Sequence, residues 1–541
     1  MSPIAVPSNA IGRRETILVF TGLFLAVLMF GLDGLIVATA LPTIATSLGQ
    51  ASGVAFVVGA YLIAVTISAP IFGRLSDLRS RKTVFLGGLV AFLVGSALAG
   101  ISQNLGELIL FRGVQGFGAG AFLPVGLAIV TDMFPPATRS RATGVLSGAG
   151  GISIVVGPLI GSYIVDVTTW RWIFYVNLPV GVAALVTLSV ALKASHPRAA
   201  GRFDLAGAGL MAGWVGALMF PLVQVSDAGW AWTDARVLGL LVVSAVLFAV
   251  FVAWELRTPD PVVPLRFLGR RLIAANGGLA VLNSVIYTAA TTLLSVFVGV
   301  VLLGGSASAA NDVRDVLYWF AIPTILGAVF AGQLFTKLSY RAVMVPAMVI
   351  SIIGGIFLAG LSSSTPLWQF QWGFVPVGGI ILPLLPLGLG TGIVLTGSFL
   401  VVQNESPSEE IGASLALFSF LKNLGGAVGL SFLVAFETWR FDALTPSPPT
   451  ASGVQGALVT SYQNVFEVML GLIIAAFLLS LVLSGRIQRK AGLPPDPHRV
   501  HRASPKYTFQ YGLGKMHGIR QDVQRGSGRI RTHDEHGGRH N

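Results

Sequence analysis

Stretches of about 20 apolar residues recur along the whole chain, and they constrain the fold more than any other feature. A helix rises about 1.5 Å per residue, so each stretch is long enough to cross the hydrocarbon core of a bilayer. Their number predicts an all-α integral membrane protein with about fourteen transmembrane helices. The predicted spans are 16–40, 54–72, 83–102, 106–131, 143–165, 171–192, 205–225, 235–255, 274–303, 316–337, 342–361, 376–402, 411–436 and 464–484.

The composition excludes most soluble classes of protein. Of the 541 residues, 54% are hydrophobic and 11% are charged, against about 25% charged in soluble domains. There is no cysteine, which excludes disulfides, thiol catalysis and thiolate metal sites. The net charge of +12 is not gathered on a soluble domain, because the cations lie in short loops and in the C-terminal tail. We therefore expect a membrane protein and no nucleic-acid partner.

The same cations predict the orientation. The predicted loops on one side hold 17 Lys and Arg residues, and the loops on the other side hold 4. The positive-inside rule puts the N-terminus in the cytoplasm, and an even number of spans puts the C-terminus there too. Residues 38–40 resemble a signal-peptidase site, but the run before them exceeds a signal-peptide core of about 7–15 residues. We expect this run to be retained as the first span.

An internal repeat divides the chain. Residues 73–82 match 332–341 at an offset of 259, and the glycine-rich stretch at 116–120 matches 388–392 at an offset of 272. Duplicated halves with a site between them are an architecture of transporters. The predicted domains are a cytoplasmic N-terminus (1–15), an N-terminal six-helix half (16–192), a linker with two extra transmembrane helices (193–272), a C-terminal six-helix half (273–484) and a disordered basic cytoplasmic tail (485–541).

The second copy of the repeat has lost two acids. Thr336 stands at the position of Asp77, and Asn404 stands at the position of Asp132. We therefore expect the ion chemistry to lie in the first half.

Five motifs in chain order resemble those of the major facilitator superfamily, specifically its fourteen-span branch of drug:proton antiporters. They occupy residues 32–42, 73–82, 112–116, 150–161 and 170–179, and the resemblance extends from about 16 to 484. Ser80 and Ser162 stand where the family usually has glycine. The resemblance implies the major facilitator fold, with two six-helix bundles plus two inserted helices. It also implies a multi-pass protein of the cell (inner) membrane that uses the proton gradient and no cofactor.

Asp33 lies deep in the first predicted span. A carboxylate at such a depth costs about 2.5–3.5 kcal/mol on insertion scales, so it indicates a functional site by default. Burial disfavours its charged form, which suits a group that takes up a proton on one side and releases it on the other. The alternative is a structural acid paired with a neighbouring helix. For Arg112 in the fourth span, the resemblance implies support of proton transfer or of the inward gate, and the alternative is snorkelling to the interface.

The loop after the second span contains Gly73, Asp77, Arg79, Arg81 and Lys82. Asp77 can pair with one of the arginines or with the N-terminus of a nearby helix. The resemblance implies that this loop latches the cytoplasmic gate, and the alternative is ordinary cytoplasmic positive charge.

The fifth span contains Gly150, Gly157, Pro158 and Gly161. Proline removes a backbone hydrogen bond and glycine allows close packing, so this span can bend as the hinge of an antiporter. A generic kink is the alternative.

Five further residues are candidates for a substrate cavity. Aromatic side chains suit lipophilic or cationic ligands, although most aromatic residues in membrane spans serve packing. For Lys422 the sequence leaves gate, substrate contact and snorkelling open. The candidates are Tyr61, Gln115, Trp214, Tyr287 and Lys422.

These features predict a proton-coupled antiporter that exports lipophilic drugs or related small molecules by alternating access. Few acids lie in the second half, so we expect neutral, anionic or monovalent substrates rather than dications. A dedicated exporter of a single metabolite or antibiotic is the alternative. The predicted partners are a small-molecule substrate, protons and the lipid bilayer, and the predicted oligomeric state is a monomer.

The sequence argues against an enzyme, with no catalytic and no metal residues predicted. Six of the seven histidines lie in the tail, and the seventh, His196, lies in a loop, so no Ser-His or metal site is placed within the membrane. There is no phosphate-binding Gly-x-x-x-x-Gly-Lys-Ser/Thr loop, which argues against an ATP-driven pump.

Overall fold

The structure of the protein is a computed structural model. It describes residues 12–49, 53–54, 56–194, 197, 199, 201–227, 230–303, 309–362, 370–372, 375–377, 379–446 and 450–483. The predicted basic tail at 485–541 and His196 lie outside the described residues.

The described chain is almost entirely α-helical, as its composition predicts. Fourteen helical stretches are long and apolar enough to cross a membrane, which agrees with the predicted number of spans. The helices are α1 (Arg13–Ser47), α2 (Phe56–Leu78), α3 (Arg81–Ile101), α4 (Leu105–Ala119), α5 (Phe122–Met133), α6 (Pro136–Val167), α7 (Trp172–Tyr175), α8 (Asn177–Ala191), α9 (Leu205–Asp227), α10 (Ala235–Arg257), α11 (Arg271–Val296), α12 (Ala309–Leu334), α13 (Tyr340–Ala359), α14 (Ile381–Glu405), α15 (Ile411–Leu444) and α16 (Ala451–Ser480).

Two predicted spans are made of two helices each. The fourth consists of α4 and α5, which meet around Gly120, and the sixth consists of the short α7 followed by α8. A 3-10 helix at Leu265–Gly269 precedes α11, and a π-helix at Phe297–Leu302 continues it. The spans themselves keep the predicted order.

The predicted start of the twelfth span, at residue 376, is wrong. The structure has a short antiparallel hairpin there, β1 (Phe370–Trp372) with β2 (Val375–Val377), and α14 begins only at Ile381. Pro376 lies inside β2, and Gly379 has a φ of 50°, a left-handed conformation that ends the extended segment. Hydropathy does not distinguish this apolar hairpin from the helix that follows it.

The loops that hold most of the cations share one end of the bundle, which we call the basic face. It carries the α2–α3 loop, the start of α6, the segment before α11 and the α12–α13 loop. The other end, which carries the α1–α2, α6–α7 and α9–α10 connections, is called the opposite face.

The two inserted helices, α9 and α10, pack against both halves. Trp214 and Met219 of α9 share an apolar cluster with Ile67 of α2 and with Leu417 and Phe420 of α15. The inserted pair is therefore positioned where a helix of the first half meets a helix of the second half.

The halves meet closely near the basic face. A methyl group added at Gly144 of α6 would overlap the Ala328 carbonyl of α12, and one added at Gly332 of α12 would overlap the Ser140 carbonyl of α6. Only glycine lets the two backbones approach so closely. Further along α6, Gly161 instead contacts α1 of its own half. The basic face is therefore closed between the halves.

Candidate functional site

Asp33 and Arg112 form a buried ion pair inside the first half. An Nη1 of Arg112 donates to Oδ2 of Asp33 at 2.5 Å, and the two residues are 1% and 0% exposed. Truncating one member of a buried pair leaves the other charge uncompensated, which is strongly unfavourable. The pair that the sequence indicated separately for α1 and α4 is thus a single unit.

Three polar side chains complete the surroundings of the Asp33 carboxylate. Gln115 and Asn177 each donate to Oδ1 at 2.8 Å, and both also donate to Ser96 Oγ at 3.1 Å. Ser96 in turn donates to the carbonyl of Phe174 at 2.8 Å. Protonation of Asp33 would therefore weaken the bonds from Arg112, Gln115 and Asn177 at once.

The Arg112 guanidinium is enclosed on its other sides. Its Nε donates to the Val57 carbonyl at 3.0 Å, and an Nη1 donates to Oε1 of Gln115 at 2.7 Å. The Tyr61 ring covers the guanidinium at 4.0 Å, within the range of a cation–π contact. The Tyr61 hydroxyl donates to the Phe30 carbonyl at 3.5 Å. Tyr61 therefore links α2 to α1 across the ion pair.

Ser96 and Asn177 belong to this site but are not among the predicted site residues. Asn177 lies in the motif at 170–179, and a polar amide in an apolar run is a signal for a buried hydrogen bond. Ser96 carries no such signal, because serine is common in membrane helices. Its position follows from Gly95, whose missing side chain lets α3 contact the backbone of Gln115 on α4.

Asp77 joins the two halves at the basic face. Its carboxylate accepts hydrogen bonds from the backbone N–H groups of Gly412 at 2.9 Å and Ala413 at 2.7 Å, in the first turn of α15. The N-terminus of a helix is a favourable place for a negative charge. Gly73, one turn earlier, allows this approach, since a methyl group there would overlap Ala416 and the Gly412 carbonyl.

The remaining residues of the predicted gate loop have separate contacts. Arg81, which is buried, donates to Asp77 at 3.4 Å and pairs with Asp132 at 2.6 Å. Lys82 donates to the Ser189 carbonyl at 2.6 Å, so it contacts α8 of its own half. Arg79 is exposed. Of these cations, Arg81 is therefore the one that belongs to the junction.

The internal repeat preserves one of these contacts in neutral form. Tyr340 and Asn404 stand at the repeat positions of Arg81 and Asp132, and Asn404 donates to the Tyr340 hydroxyl at 2.8 Å. Arg139 of the first half also donates to Asn404, at 3.1 Å. At the equivalent position the second half thus has a hydrogen bond where the first half has an ion pair. Arg139 links this hydrogen bond to the first half.

The inserted helices contribute an ion pair to the gate. Arg74, at the end of α2, pairs at 3.1 Å with Asp260 of the segment between α10 and α11. The backbone N–H of Ala199, in the linker before α9, donates to the Asp77 carbonyl at 3.0 Å. The linker regions therefore hold the same loop that contacts α15.

The arrangement of fourteen spans around this pair and this junction can be compared with known proteins. The family profile of the Major Facilitator Superfamily matches residues 23–430. The chain belongs to the Major Facilitator Superfamily. The expected family is confirmed, and both family and fold are those of transporters.

Relatives within the superfamily include drug transporters. Multidrug resistance protein 3 of Bacillus subtilis (strain 168) is 31% identical over 84% of this chain and 87% of its own length. The multidrug transporter protein MdtP of the same organism is 31% identical over 79% of this chain and 76% of its own length. The efflux pump FUS6 of Gibberella moniliformis is 28% identical over 88% and 90%.

Solved structures support the same fold. The proton:xylose symporter XylE has a TM-score of 0.60 at 12% identity, and the match covers 86% of this chain and 95% of that one. The human organic anion transporter MFSD10 (TETRAN) has a TM-score of 0.56 at 16% identity, with coverage of 86% and 99%. At these identities the likeness concerns the fold alone.

The predicted hinge residues of this superfamily member have unequal surroundings. A methyl group at Gly157 would overlap Leu35, and one at Gly161 would overlap Thr39, both on α1. A methyl group at Gly150 would have no atom within 4 Å. Pro158 lies inside α6. Gly157 and Gly161, in the C-terminal part of this motif, are therefore the hinge residues that pack tightly against α1.

The predicted cavity residues fall into three places. Tyr61 and Gln115 belong to the Asp33–Arg112 cluster. Trp214 packs in the core of the inserted pair, with its ring centroid 5.8 Å from that of Phe420. Tyr287 on α11 and Lys422 on α15 are half-buried in the second half.

Proposed function

We propose that this transporter is a proton-coupled antiporter that exports lipophilic drugs or related small molecules across the cell membrane by alternating access. The basic face is the cytoplasmic side, with both termini in the cytoplasm, because the predicted loops of that side hold 17 Lys and Arg residues against 4. The multidrug resistance and efflux names of the relatives support export as the direction of transport.

The buried Asp33–Arg112 pair carries the proposal. The Asp33 carboxylate lies within the membrane domain and accepts hydrogen bonds from Arg112, Gln115 and Asn177. Protonation of this one group would therefore alter three interactions at once. Protonation would remove the charge that Arg112, Gln115 and Asn177 share. In the proposed cycle, Asp33 takes up a proton from outside and releases it to the cytoplasm as the halves exchange their exposure.

A packing route connects this pair to the closed face. Asp33 lies on α1, and α1 packs against Gly157 and Gly161 of α6. The other end of α6 packs against α12 through Gly144 and Gly332. A shift of α1 on protonation of Asp33 would therefore be transmitted to the contact between the halves, and rocking of two rigid halves is the usual form of alternating access.

The proposal is tested by drug or dye accumulation in inside-out vesicles with an acidic lumen. Wild-type protein is expected to accumulate substrate, and a proton ionophore is expected to stop it. Asp33→Asn should abolish gradient-driven accumulation, whereas Asp234→Asn, which neutralises a half-buried acid at the opposite face, should not. Accumulation that survives Asp33→Asn would overturn the role of Asp33 in proton coupling.

A dedicated exporter of one metabolite or antibiotic is the second candidate. A relative from Aspergillus aculeatus, 28% identical over 82% of this chain and 78% of its own length, is named as a transporter of the acurin A biosynthesis cluster. The two candidates differ in breadth. Accumulation of several unrelated lipophilic compounds in the same vesicles would favour the multidrug exporter, and accumulation of one chemical series would favour the dedicated one.

A further inference from the structure

A groove opens on the surface of the first half, close to the basic face. It lies between the first turns of α1 and the first turns of α6, and its volume is about 350 Å³. Phe20 of α1 and Phe134, which precedes α6, pack edge to face within it, with ring centroids 6.0 Å apart. We call it the α1–α6 groove, and its lining residues are Thr16, Ile17, Phe20, Thr21, Phe134, Thr138, Arg141, Ala142 and Val145.

The walls of the α1–α6 groove are apolar and accessible. Ile17 is 56% exposed and Val145 is 38% exposed, and the two phenylalanines that line the groove with them are half-buried. Both walls belong to helices that span the membrane. Apolar side chains on such a surface are in contact with the acyl chains of lipids, because no other part of the described chain covers them.

Arg141 adds a positive charge to this apolar groove. Its side chain is exposed and has no hydrogen bond or ion pair with any residue that the structure describes. Thr138, one turn earlier on α6, adds an exposed hydroxyl group. Arg13, which is also exposed, lies one turn before Ile17 on the same face of α1. Each of the two helices therefore contributes an arginine at the end of the groove that is nearest the basic face.

None of the described residues that line the groove is acidic. The acids that are near it in sequence have partners elsewhere: Glu15 pairs with Lys193, which follows α8, at 3.3 Å, and Asp132 pairs with Arg81 at 2.6 Å. The phosphate of a lipid headgroup would therefore find a counter-charge in Arg141, whereas the ammonium of a zwitterionic headgroup would find none. This distribution of charge favours a headgroup with a net negative charge.

The depth of the groove suits a lipid headgroup with its acyl chain. The 35 residues of α1 extend over about 52 Å, against about 30 Å for the hydrocarbon core. Centred in the bilayer, α1 extends about 11 Å beyond the core at each end, which is the length of about seven residues. Arg13 and Thr16 then lie at the level of the headgroups, and Phe20 lies where the acyl chains begin.

The groove adjoins the contact between the two halves. Ser140 and Gly144 of α6 approach Gly332 of α12, and each of them directly precedes a residue of the groove, Arg141 and Val145 respectively. A ligand in the groove therefore contacts the same turns of α6 that close the basic face.

We propose that the α1–α6 groove binds one anionic phospholipid from the leaflet on the side of the basic face, with a headgroup of the phosphatidylglycerol type. Arg141 binds the phosphate, and Arg13 adds a second positive charge. One acyl chain lies along Ile17, Phe20 and Val145. The lipid thus connects α1 to α6 beside the contact between the halves. This binding site goes beyond the proposed function, because it takes no part in the proposed proton cycle.

The test counts the phospholipids bound to the full-length protein by native mass spectrometry in a neutral detergent. Phosphatidylglycerol and phosphatidylcholine with identical acyl chains are titrated separately. Wild-type protein is expected to bind its first phosphatidylglycerol more tightly than its first phosphatidylcholine. Arg141→Gln should weaken the binding of phosphatidylglycerol about fivefold, because it removes one cation at the level of the headgroup, and should leave that of phosphatidylcholine unchanged. Arg141→Lys should keep most of the affinity, since it keeps the charge.

Two further variants separate the groove from the charge of the whole face. Arg341→Gln removes an exposed arginine at the start of α13, outside the groove, so it should bind phosphatidylglycerol as wild type does. Val145→Trp places a bulky side chain in the groove and leaves both arginines in place. It should reduce the affinity for phosphatidylglycerol.

Three outcomes overturn the proposal. Equal affinity of wild type for the two lipids would mean that the groove does not select an anionic headgroup. An equal loss in Arg141→Gln and Arg341→Gln would assign the binding to the overall charge of the basic face. Unchanged binding in Val145→Trp would place the lipid outside the groove. The titration imposes no proton gradient, so its result is independent of the vesicle experiment that tests proton coupling.

Discussion

The carboxylate of Asp77 accepts a hydrogen bond from the backbone N–H of Gly412, which lies 335 residues further along the chain. A second bond from Ala413 makes the interaction bidentate. Because Asp77 belongs to the first half and α15 to the second, this contact exists only when the basic face is closed. The hydrogen bonds of Asp77 therefore stabilise the closed state of the basic face relative to the open state.

Replacement of Asp77 by asparagine should favour opening of the basic face. The amide keeps one acceptor but loses the charge that the N-terminus of α15 stabilises, and hydrogen bonds of charged groups contribute about 1.5–3 kcal/mol each. The absence of cysteine allows spin labels to be placed at will. Labels at Thr138 and Lys337, on either side of the junction, should show a larger fraction of long distances in Asp77→Asn than in wild type.

An exposed cation of the same loop provides the control for that measurement. Arg79→Gln changes the charge of the loop without touching the junction, so its distance distribution should match that of wild type. If Asp77→Asn also leaves the distribution unchanged, the contact with α15 does not hold the face closed.

The ion pair of Asp33 and Arg112 should show strong coupling in stability. Asp33→Asn leaves a buried guanidinium without its counter-charge, and the loss of one partner of a buried pair costs about 3–5 kcal/mol. The double variant Asp33→Asn with Arg112→Met removes both charges and should unfold at a higher temperature than Asp33→Asn alone. Thermal unfolding in detergent ranks the variants. Additive effects of the two substitutions would contradict a coupled pair.

The transport experiment separates that stability effect from proton coupling. The double variant is expected to fold better than Asp33→Asn and still to lack gradient-driven accumulation, because no proton site remains. Recovery of transport together with stability would assign the pair to structure alone.

The fold could be predicted because hydropathy and the positions of Lys and Arg are set by the bilayer itself. The predicted start of the twelfth span differs from the structure because hydropathy does not distinguish a strand from a helix, and an apolar hairpin that contains Pro376 precedes α14. The break of the fourth span near Gly120 was also missed, because glycine in a membrane helix signals close packing as often as interruption.

Residues of the candidate site could be predicted where an ionisable side chain lies within a membrane span. Asp33 and Arg112 are conspicuous because ionisable residues are rare in spans. Ser96 is not, since a serine can bond its own helix and costs little. For Asp77 the sequence indicated an arginine or a helix N-terminus as partner, and the structure shows both, Arg81 and α15. The sequence does not show which helix N-terminus contacts Asp77, because that depends on how the two halves pack, and no local sequence pattern encodes this packing.

The ion pair between Arg74 and Asp260 should hold the segment that follows the inserted helices against the gate loop. The Arg74 side chain is 6% exposed and the Asp260 side chain 34%, and solvent at Asp260 screens the pair, so it is expected to contribute about 1 kcal/mol. Asp260→Asn should therefore leave thermal stability nearly unchanged while raising the open fraction of the basic face up to about fivefold. The same labels at Thr138 and Lys337 report it. An unchanged open fraction would mean that the inserted pair only covers the halves.

Two glycines of α6 should respond in opposite ways to the same substitution. A methyl group at Gly144 would overlap the Ala328 carbonyl and contact Gly332 on α12, whereas one at Gly150 has no atom within 4 Å. Alanine in place of glycine stabilises a helix by about 0.4–1 kcal/mol where it fits. Gly150→Ala should therefore raise the unfolding temperature slightly and leave the spin-label distances as in wild type. Gly144→Ala should separate α6 from α12, shift the spin labels to long distances and slow transport. If both variants behave alike, close approach of the two backbones is not what closes the basic face.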